Sequence, residues 1–594
     1  MLFEELANYY RRLEEISSRL DMIDIFTEMF KSARKNEIRN IIYMSTGLLA
    51  PPFKGIETGI AEKIAEDAIA VATGNEKKMV EESFKKTGDL GITAEQFVSS
   101  TKLRRMGSNK FEVNEVFETM LKIATTSGEG SKDTKIKMLA SLIAASTPIE
   151  ARYVIRFVLG QLRLGAGDAT IMEALSKAET GDRGFKDKIE EAFNTCSDLG
   201  FVGETLMKEG TKGVENFKVT LFNPIRPALA ERLPTAEEIL ERMNGKCAVE
   251  SKYDGLRTQV HIDKKNKKVE IFSRRLERLT EMFPEIVKAA LKEVDASEAI
   301  LEGETIAYDE VTNQFHAFQE TMQRKRKYDI EAKSQELPLH LFSFDLLYLD
   351  GESYLKKKFS ERRNMLEKIV KGDGTIRHSD MIIATKPKEI EKYFETAVEN
   401  GLEGIVAKDL NSPYIAGARK FSWIKMKRSY KGELSDTVDL VVVGYYAGKG
   451  IRTEFGFGGM LAAVYNEKDD MFETITRIGT GFSEENMKTF KKLFEKIKVA
   501  KKPARVDSIV EPDYWIEPKY VITVRADEIT KSPMHTAGRH KEDEEETGYA
   551  LRFPRIVSNG VREDKSPEEA TTTKEIIEMF KMQRKTKVGM GEEA

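Results

Sequence analysis

The stretch Glu250-Ser-Lys-Tyr-Asp-Gly-Leu-Arg257 places a lysine between an apolar approach and an Asp-Gly turn signal, near the middle of the chain. On a strand, Glu250 and Lys252 point to the same side. A lysine at a strand end beside a turn can reach into a cleft and act as a nucleophile once it has lost its proton. Burial and neighbouring cations favour that loss. Alone, the stretch also fits the commoner case of a surface lysine before a hairpin turn.

Two segments downstream add arginines and glutamates. Ile271-Phe-Ser-Arg-Arg-Leu-Glu277 is typical of a strand ending in guanidinium groups, which can bind a phosphate or a ribose. In Ala299-Ile-Leu-Glu-Gly-Glu-Thr-Ile-Ala-Tyr-Asp309, strand alternation places Glu302 and Glu304 on one face with apolar side chains. Because such acids are costly to bury without a partner, one of them is expected to bind a metal ion or a ligand hydroxyl. An exposed basic turn and a solvent-edge strand are the ordinary alternatives.

The next two segments supply aromatic rings and a further glutamate. Leu341-Phe-Ser-Phe-Asp-Leu-Leu-Tyr348 predicts a strand with Phe342 and Phe344 on one face. Either ring can stack on a base, although core packing is the commoner role for such a run. Glu403-Gly-Ile-Val-Ala-Lys408 begins with a glutamate, continues as an apolar strand and ends with a lysine.

A lysine pair closes this series of segments. In Ser422-Trp-Ile-Lys-Met-Lys427, alternation places Lys425 and Lys427 on one strand face, while Ile424 and Met426 point the other way. Two lysines side by side repel each other unless an anion such as a phosphate lies between them. The pair therefore indicates a phosphate site.

The pattern of apolar and polar residues changes twice along the chain and predicts three domains. Residues 1–222 show apolar side chains at spacings of three and four, which predict an all-α domain that can be a scaffold, a solenoid or a DNA clamp. Residues 223–427 alternate short β-branched and aromatic runs with helices and predict an α/β (α+β) domain. Its predicted strands include Val269–Phe272, Ala299–Tyr308, Leu339–Leu349 and Gly404–Lys408. Residues 428–594 predict a small β-barrel with a short tail helix. The clearest helical segments are Leu2–Phe30, Glu62–Ala72, Val113–Ile123 and Lys135–Ala145, and the clearest barrel strands are Val438–Tyr446, Met460–Tyr465, Thr474–Ile478 and Tyr520–Ala526.

Composition narrows the class of protein. A chain of 594 residues is too long for one core, so three or more domains are expected. Its two cysteines, Cys196 and Cys247, allow neither a disulfide framework nor a four-cysteine zinc site, and they indicate a reducing cytoplasm. The N-terminus is acidic where a signal peptide is basic, and no uncharged apolar run approaches the roughly 18 residues that a membrane helix needs. The net charge of −4 does not identify a nucleic-acid binder, because clustering of basic residues matters more.

The order of these motifs carries more information than any one of them. Their sequence resembles the nucleotidyltransferase superfamily of ATP-dependent DNA ligases, RNA ligases and mRNA capping enzymes. Further segments look like those of DNA ligases of the archaeal and eukaryotic replicative type, whose third domain is an OB fold. These segments are Gln161-Leu-Arg-Leu-Gly-Ala-Gly-Asp168, Pro227-Ala-Leu-Ala230, Ile475-Thr-Arg-Ile-Gly-Thr-Gly-Phe482, Leu551-Arg-Phe-Pro-Arg-Ile556 and Val561-Arg-Glu-Asp-Lys565.

The resemblance implies a role for each matching residue. Lys252 would be the nucleophile that carries AMP, Glu250 would read the adenine amino group, and Phe344 would stack on the base. Glu304 would contact the ribose or a metal ion, and Glu403 would be a metal ligand. The remaining matches bind phosphates or the nucleotide: Arg257, Arg274, Lys425, Lys427, and the C-terminal set Arg562, Asp564 and Lys565.

The implied reaction is sealing of nicks with a 5′-phosphate and a 3′-hydroxyl in duplex DNA, through lysine–AMP and adenylated-DNA intermediates. It would use ATP and Mg²⁺, with Mn²⁺ as an alternative, and serve DNA replication, repair and recombination. We expect a monomer without membrane attachment that grips nicked DNA by phosphate contacts. Candidate contacts are Lys132, Lys135, Lys137, Arg152, Arg156 and Arg163. Binding to a sliding clamp stays open, because Val98–Asn109 contains no clear clamp-binding box.

Three other classes of protein share part of this pattern. An NAD-dependent ligase normally carries a four-cysteine zinc finger, which two cysteines cannot build. A capping enzyme or an RNA ligase would lack the helical N-terminal domain. A DNA-binding protein without catalytic activity would not need Lys252, Glu403 and the Lys425/Lys427 pair together.

Overall fold

The computed structural model describes residues 1–594 apart from several short stretches. These are 17, 102–109, 163, 310–313, 316–320, 322–323, 325–329, 332–333, 335–336, 401, 428–436, 449–455, 527, 540–546, 558–559 and 590–594. Arg163 and most of Val98–Asn109 therefore lie outside the described residues. In the described parts of the chain, no helix is long and apolar enough to cross a membrane.

The N-terminal region is built from helices around one apolar core, as its 3.6-residue periodicity predicts. Leu2–Phe30 is two helices rather than one continuous helix, because the Ser18 side chain accepts the amide of Asp21 and caps a second helix. The helices are α1 Phe3–Glu15, α2 Arg19–Ser32, α3 Ile38–Ser45, α4 Glu62–Thr73, α5 Lys77–Thr87, α6 Leu90–Ser100, α7 Val113–Thr125, α8 Ser131–Ala145, α9 Pro148–Val158, α10 Asp168–Thr180, α11 Lys186–Cys196 and α12 Leu199–Glu215.

The middle region is a mixed domain with two sheets. Its helices are α13 Ala236–Arg242, α14 Pro284–Glu293, α15 Phe359–Ile369 and α16 Pro387–Glu399. Its strands are β1 Leu229–Arg232, β2 Cys247–Lys252, β3 Leu256–Asp263, β4 Lys268–Ser273, β5 Glu298–Asp309, β6 Gln314–Phe315, β7 Leu339–Leu349, β8 Glu352–Ser353, β9 Ile376–His378, β10 Met381–Ala384, β11 Gly404–Lys408 and β12 Arg419–Lys427.

The two sheets place the predicted motifs on neighbouring strands. One has the strand order β1-β12-β11-β2-β10, and the other has the order β4-β3-β5-β7-β8, with β6 on β5 and β9 on β7. Ile424 and Met426 pack in the core behind the first sheet, so Lys425 and Lys427 face the other way, as alternation predicts. The chain reverses at Asp254-Gly255 between β2 and β3, and thereby passes from one sheet to the other.

The C-terminal region is a curled sheet with a flanking hairpin and two helices. Its elements are β13 Thr437–Tyr446, β14 Gly459–Asn466, β15 Met471–Ile478, α17 Glu484–Glu495, β16 Lys498–Val499, β17 Val506–Asp507, β18 Tyr514–Ile516, β19 Val521–Arg525, β20 Glu528–Ser532, β21 Gly548–Arg552, β22 Arg555–Ile556 and α18 Thr573–Gly589. The strand order is β16-β18-β13-β14-β15-β17, with β19 between β13 and β22. The predicted fold class, an all-α, an α/β and an OB-like domain, is confirmed, although β15 begins three residues before the predicted Thr474.

A buried ionic cluster joins the first region to the third. Asp470, in the turn between β14 and β15, accepts hydrogen bonds from Arg19 at 3.3 Å, Thr170 at 3.1 Å and Arg505 at 2.5 Å. Arg19 also pairs with Glu173 at 2.7 Å. Because Arg19, Thr170 and Glu173 belong to the helical region, this cluster holds the two ends of the molecule together.

The middle region contacts both of its neighbours. Phe53 of the helical region packs edge-on against Phe272, with ring centroids 6.2 Å apart. On the other side, Arg274 pairs with Glu569 of the C-terminal region at 3.0 Å. A cavity of about 1950 Å³ is lined by residues of all three regions. Lys252 is not among its lining residues, whereas Arg274 is.

Candidate active site

Three charged side chains meet where β2, β11 and β12 lie side by side. Lys252 ends β2 and Lys427 ends β12, and both are register partners of Gly404, the first residue of β11. The carboxylate of Glu403, one residue earlier, forms an ion pair with each of the two ammonium groups. Residues that lie more than 150 positions apart in sequence are thus neighbours in one cluster.

Gly404 makes this close approach possible. Its φ of 149° lies in the range that favours glycine, and a Cβ there would lie 2.2 Å from the carbonyl oxygen of Met426. A side chain would therefore push β11 away from β12 and separate Glu403 from Lys427. The motif therefore needs a glycine after Glu403 to keep β11 and β12 close together.

The charges of the cluster determine the protonation of its members. Burial alone would raise the pKa of Glu403, but Lys252 and Lys427 outweigh it and lower that pKa to about 2. Burial alone would lower the pKa of Lys252, but nearby carboxylates, Glu403 foremost, outweigh it and raise that pKa above its usual value. Burial and the charge of Lys252 lower the pKa of Lys427.

One expectation about the lysine nucleophile is therefore corrected. Burial and neighbouring cations were expected to lower the pKa of Lys252. In this arrangement Lys252 is surrounded by the carboxylates of Glu403, Glu304 and Asp254, and its ammonium form is stabilised.

The two glutamates of β5 have different environments. Glu302 is buried and accepts a hydrogen bond from Arg257 at 3.0 Å and another from Tyr414 at 2.8 Å. Glu304 is partly buried beside Lys252, and burial, which outweighs the opposing effects of Lys252 and Arg257, raises its pKa to about 7. Glu302 is thus occupied by internal partners, whereas Glu304 faces the cluster, as the prediction of a functional role for Glu304 requires.

A group of aromatic rings, Phe344, Tyr414 and Trp423, packs beside the Arg257 guanidinium. Phe344 packs edge-on against Trp423 with centroids 5.9 Å apart, and the Arg257 guanidinium lies 5.6 Å from the Phe344 centroid. Glu250 is 2% exposed, and its carboxylate accepts hydrogen bonds from Lys408 and Arg363. The other aromatic of the same strand, Phe342, is a core residue.

The C-terminal charged motif forms ion pairs within the OB-like domain. Arg562 donates to Asp564 at 2.5 Å and to Asp439 at 3.4 Å, and Lys565 pairs with Asp439. Burial alone would raise the pKa of Asp439, but Lys565 and Arg562 outweigh it and lower that pKa to about 2. The charge of Arg562 also acts on Asp254 and Glu403 of the cluster. The Arg562 guanidinium therefore lies within electrostatic range of the cluster in this conformation.

The remaining predicted phosphate residues lie at the edges of the site. Lys425 is two residues before Lys427 on the same strand face and is partly buried. Arg274 lies farther out, at the cavity between the three regions, where it pairs with Glu569.

The carboxylates near Lys252 have the donor chemistry that a divalent cation requires. Beyond the larger effect of burial, the charge of Glu403 acts to raise the pKa of Asp254 and of Glu304, and the charge of Asp254 acts in the same direction on Glu304, so the three carboxyl groups lie near one another. The described residues contain no preformed group of three metal-binding side chains.

The candidate DNA contacts fall into two groups. On α8, Lys132 and Lys137 are exposed, and Lys135 donates to the carbonyl of Thr58 at 3.2 Å. On α9, the two arginines are engaged by carboxylates of the same domain. Arg152 pairs with Glu95, and Arg156 is buried and pairs with Asp89 at 2.9 Å and with Glu14. This argues against phosphate contacts at both arginines, because their charges are already compensated inside the helical domain.

Several residues at the site were not singled out from the sequence. Lys408 and Asp254 lie in the same motifs as Glu403 and Lys252, and this closeness in sequence could have identified them as site residues. No sequence pattern pointed to Arg363 or Tyr414, because each contacts its carboxylate partner from an element that is distant in sequence. No pattern pointed to Asp439 either, since only the fold brings β13 to the C-terminal motif.

Comparison with protein-family models gives three matches along the chain. The model described as DNA ligase N terminus matches residues 2–176. The model described as ATP dependent DNA ligase domain matches residues 227–427. The model described as ATP dependent DNA ligase C terminal region matches residues 453–565.

Curated relatives match over nearly the full length. A probable DNA ligase of Dictyoglomus thermophilum is 48% identical over 588 residues, covering 99% of each chain. A DNA ligase of Sulfurisphaera tokodaii is 42% identical over 597 residues, covering 99% of this chain and 98% of its own. Among solved structures, "Pmar-Lig_Pre." is 18% identical with a TM-score of 0.44 and covers 94% of this chain and 99% of its own. A mycobacterial DNA ligase D complexed with ATP and MES is 23% identical with a TM-score of 0.33, covering 58% and 97%.

Proposed function

This chain belongs to the ATP-dependent DNA ligases, and from that membership we propose that it seals nicks in duplex DNA through a covalent AMP adduct on Lys252. The observation that carries the proposal is the cluster of Lys252, Glu403 and Lys427, with the aromatic rings of Phe344 and Trp423 in the same domain. A lysine nucleophile, a carboxylate and a second lysine are the groups that transfer of a nucleotidyl group to an amine needs.

In the first step, the amine of Lys252 attacks the α-phosphorus of ATP, and pyrophosphate leaves. Its ammonium first gives up a proton and its contact with Glu403. When bound, Mg²⁺ neutralises charge on the phosphate oxygens. Glu403 and Glu304 are the side chains that would hold it, and Glu304 also lies where a ribose contact is expected. Engagement of Glu403 by a cation would release Lys252 from its ion pair.

The base of the nucleotide would lie at Phe344 and its α-phosphate at the lysine pair. Phe344 would stack on adenine, Glu250 would accept a hydrogen bond from the adenine amino group, and Arg257 would contact the nucleotide. Lys425 and Lys427 would hold the α-phosphate, whose negative charge relieves the repulsion between them. Phosphoryl transfer depends mainly on such positioning and charge neutralisation.

The C-terminal motif would act only in the first step. Arg562 and Lys565 would contact the leaving pyrophosphate, and Asp564 would orient Arg562 through the ion pair that it forms. The OB-like domain then has to withdraw, because the 5′-phosphate of the nick must reach the AMP. The DNA 5′-phosphate attacks the phosphorus of the Lys252 adduct, and the 3′-hydroxyl finally attacks the 5′-phosphorus and expels AMP. Arg274 would contact the 5′-phosphate at the nick.

The three domains would be 1–222 for DNA binding, 223–427 for adenylation and 428–594 for closure. The helical domain would supply sequence-independent phosphate contacts, with Lys132, Lys135 and Lys137 as the better candidates. We further propose that the protein acts as a cytoplasmic monomer in DNA replication, repair and recombination. Its cysteines, Cys196 and Cys247, are free, which suits a reducing compartment.

A sealing assay tests the proposal. The protein should join a 5′-labelled nicked duplex in the presence of ATP and Mg²⁺, and Lys252→Ala and Lys252→Arg should abolish joining, because a guanidinium does not deprotonate to attack. Lys246→Ala, at an exposed lysine six residues earlier, is the matched control and should retain activity. A catalytically inert DNA-binding protein would join nothing in any of these variants.

A further inference from the structure

The carboxylate of Glu250 is held from behind by two cations. Glu250 lies on β2 between β10 and β11, with Met381 and Val406 as its register partners. Lys408 contacts its Oε2 at 2.6 Å, and Arg363 donates from Nη1 to its Oε1 at 3.3 Å. Each carboxylate oxygen thus has one cationic donor inside the protein and keeps further lone pairs for another partner.

Lys408 is a buried ammonium with few other partners. It is 1% exposed and donates to the backbone carbonyl of Phe344 at 3.2 Å. Its Nζ lies 4.6 Å from the Phe344 ring centroid and 4.2 Å from that of Trp423. Burial lowers the pKa of Lys408, and the contact with Glu250 opposes that effect. Lys408 therefore connects the Glu250 carboxylate to the aromatic rings of Phe344 and Trp423.

Arg363 is fixed independently of Glu250. It donates to the carbonyl of Ser379 at 2.9 Å and to Glu367 at 2.7 Å. The guanidinium therefore keeps its position whatever binds to Glu250. Burial raises the pKa of Glu250, while Lys408 and Arg363 oppose that effect. Loss of either cation would favour the protonated carboxyl.

This arrangement matters for a base because an ionised carboxylate only accepts hydrogen bonds. The 6-amino group of adenine is a donor, whereas the 6-oxo group of guanine is an acceptor and would repel it. A protonated Glu250 would be a donor and would lose that preference.

We propose that Lys408 is a positioning residue that holds Glu250 as an oriented, ionised acceptor and thereby sets the preference for adenine over guanine. The inference rests on the proposed function, because it assigns Glu250 and Phe344 to the base of ATP. It adds a residue that acts through Glu250 and touches no reacting atom.

The test compares Lys408→Met with wild type in formation of the labelled protein adduct from ATP, GTP and purine riboside triphosphate, which lacks the 6-amino group. A lost charge-assisted hydrogen bond corresponds to roughly 10- to 100-fold. We expect the KM for ATP to rise by about that factor with a smaller change in kcat. The KM for the 6-unsubstituted purine should stay nearly constant, and the ratio of ATP to GTP use should fall.

A structural role alone would give a different pattern. Arg324→Met is the matched control, since Arg324 is buried in the same domain and pairs with Glu285 at 2.7 Å without contacting Glu250. It should lower Tm and leave the ratio of the two KM values unchanged. Lys408→Gln, which removes the charge and retains a donor, replaces Lys408→Met if that variant does not fold.

Equal losses with ATP and with the 6-unsubstituted purine in the Lys408 variant would overturn the inference, as would unchanged kinetics. The wild-type reaction separates this failure from failure of the proposed function. If wild type forms no adduct from ATP, the proposed function is wrong; if wild type forms it and the Lys408 variant loses both substrates equally, only the positioning role is wrong.

Discussion

The placement of Arg562 predicts that its loss damages one step of the reaction and spares another. Arg562 stands on the OB-like domain, pairs with Asp564 and Asp439, and acts electrostatically on Glu403 of the active-site cluster. If it contacts the leaving pyrophosphate, Arg562→Ala should slow adduct formation from ATP. Sealing of a nick that already carries AMP releases no pyrophosphate and should continue.

The size of the effect distinguishes catalysis from folding. The Arg562 side chain is 33% exposed, so its ion pairs contribute at most about 1 kcal/mol to stability. Removal of a preorganised group that stabilises transition-state charge costs about 2.7–4 kcal/mol, or about 100- to 1000-fold in rate. A loss of that size in adduct formation therefore exceeds what lost stability explains.

The assay is single-turnover adduct formation beside single-turnover sealing of AMP-capped nicked DNA. Lys565→Ala should behave like Arg562→Ala, whereas Lys427→Ala should damage both steps because Lys427 lies in the cluster itself. Arg552→Ala, on the hairpin of the same domain, is the matched control for adduct formation and should be close to wild type. Equal losses of both steps in the Arg562 variant would refute the assignment of this residue to pyrophosphate.

Three further predictions concern stability, domain contact and DNA affinity. In the folded protein the pKa of Glu304 is raised to about 7, so its protonated form stabilises the fold below the usual pKa and this stability is lost as pH rises through about 7. The free energy of unfolding of Glu304→Gln should therefore exceed that of wild type by up to about 3 kcal/mol at pH 8, with no difference at pH 4. Thermal unfolding without metal at both pH values checks this, and a difference independent of pH would contradict it. Asp470→Asn should weaken the contact between the helical and OB-like domains by about 2–5 kcal/mol and enlarge the radius of gyration of the protein without DNA. Arg12→Ala, which removes an exposed ion pair with Glu28, is the control and should leave the radius of gyration unchanged. An unchanged scattering profile would show that Asp470 does not hold the domains together. A chain beginning at Pro224 should still form the adduct but seal poorly, with a shallower salt dependence of DNA binding. If the truncated chain seals as well as the full chain at low DNA concentration, the helical region does not supply most of the affinity for DNA.

The sequence was sufficient for features that depend on local pattern. β7 and β11 were predicted with their observed bounds, because β-branched and aromatic runs are bounded by Gly and polar residues there. The opposite faces of Ile424 and Lys425 follow from strand alternation alone. The break at Ser18 was missed because apolar spacing continues through it, although serine is a favoured cap.

Features that depend on pairing between distant segments could not be predicted. The register that brings Lys252, Gly404 and Lys427 together involves three strands, and no local signal fixes it. The raised pKa of Lys252 follows from that register, because the register determines which carboxylates surround the amine. Arg156 looked like a surface cation until the fold placed Asp89 against it.

The most direct test of the central claim is to follow labelled AMP through the reaction. The protein is incubated with α-labelled ATP and Mg²⁺, freed of nucleotide and divided in two. One half is digested to locate the label, and the other is mixed with unlabelled nicked duplex. We expect label on the peptide that contains Lys252, followed by its transfer to the 5′-phosphate of the nick and release as AMP. Label on another residue, or an adduct that does not pass its AMP to nicked DNA, would contradict the central claim.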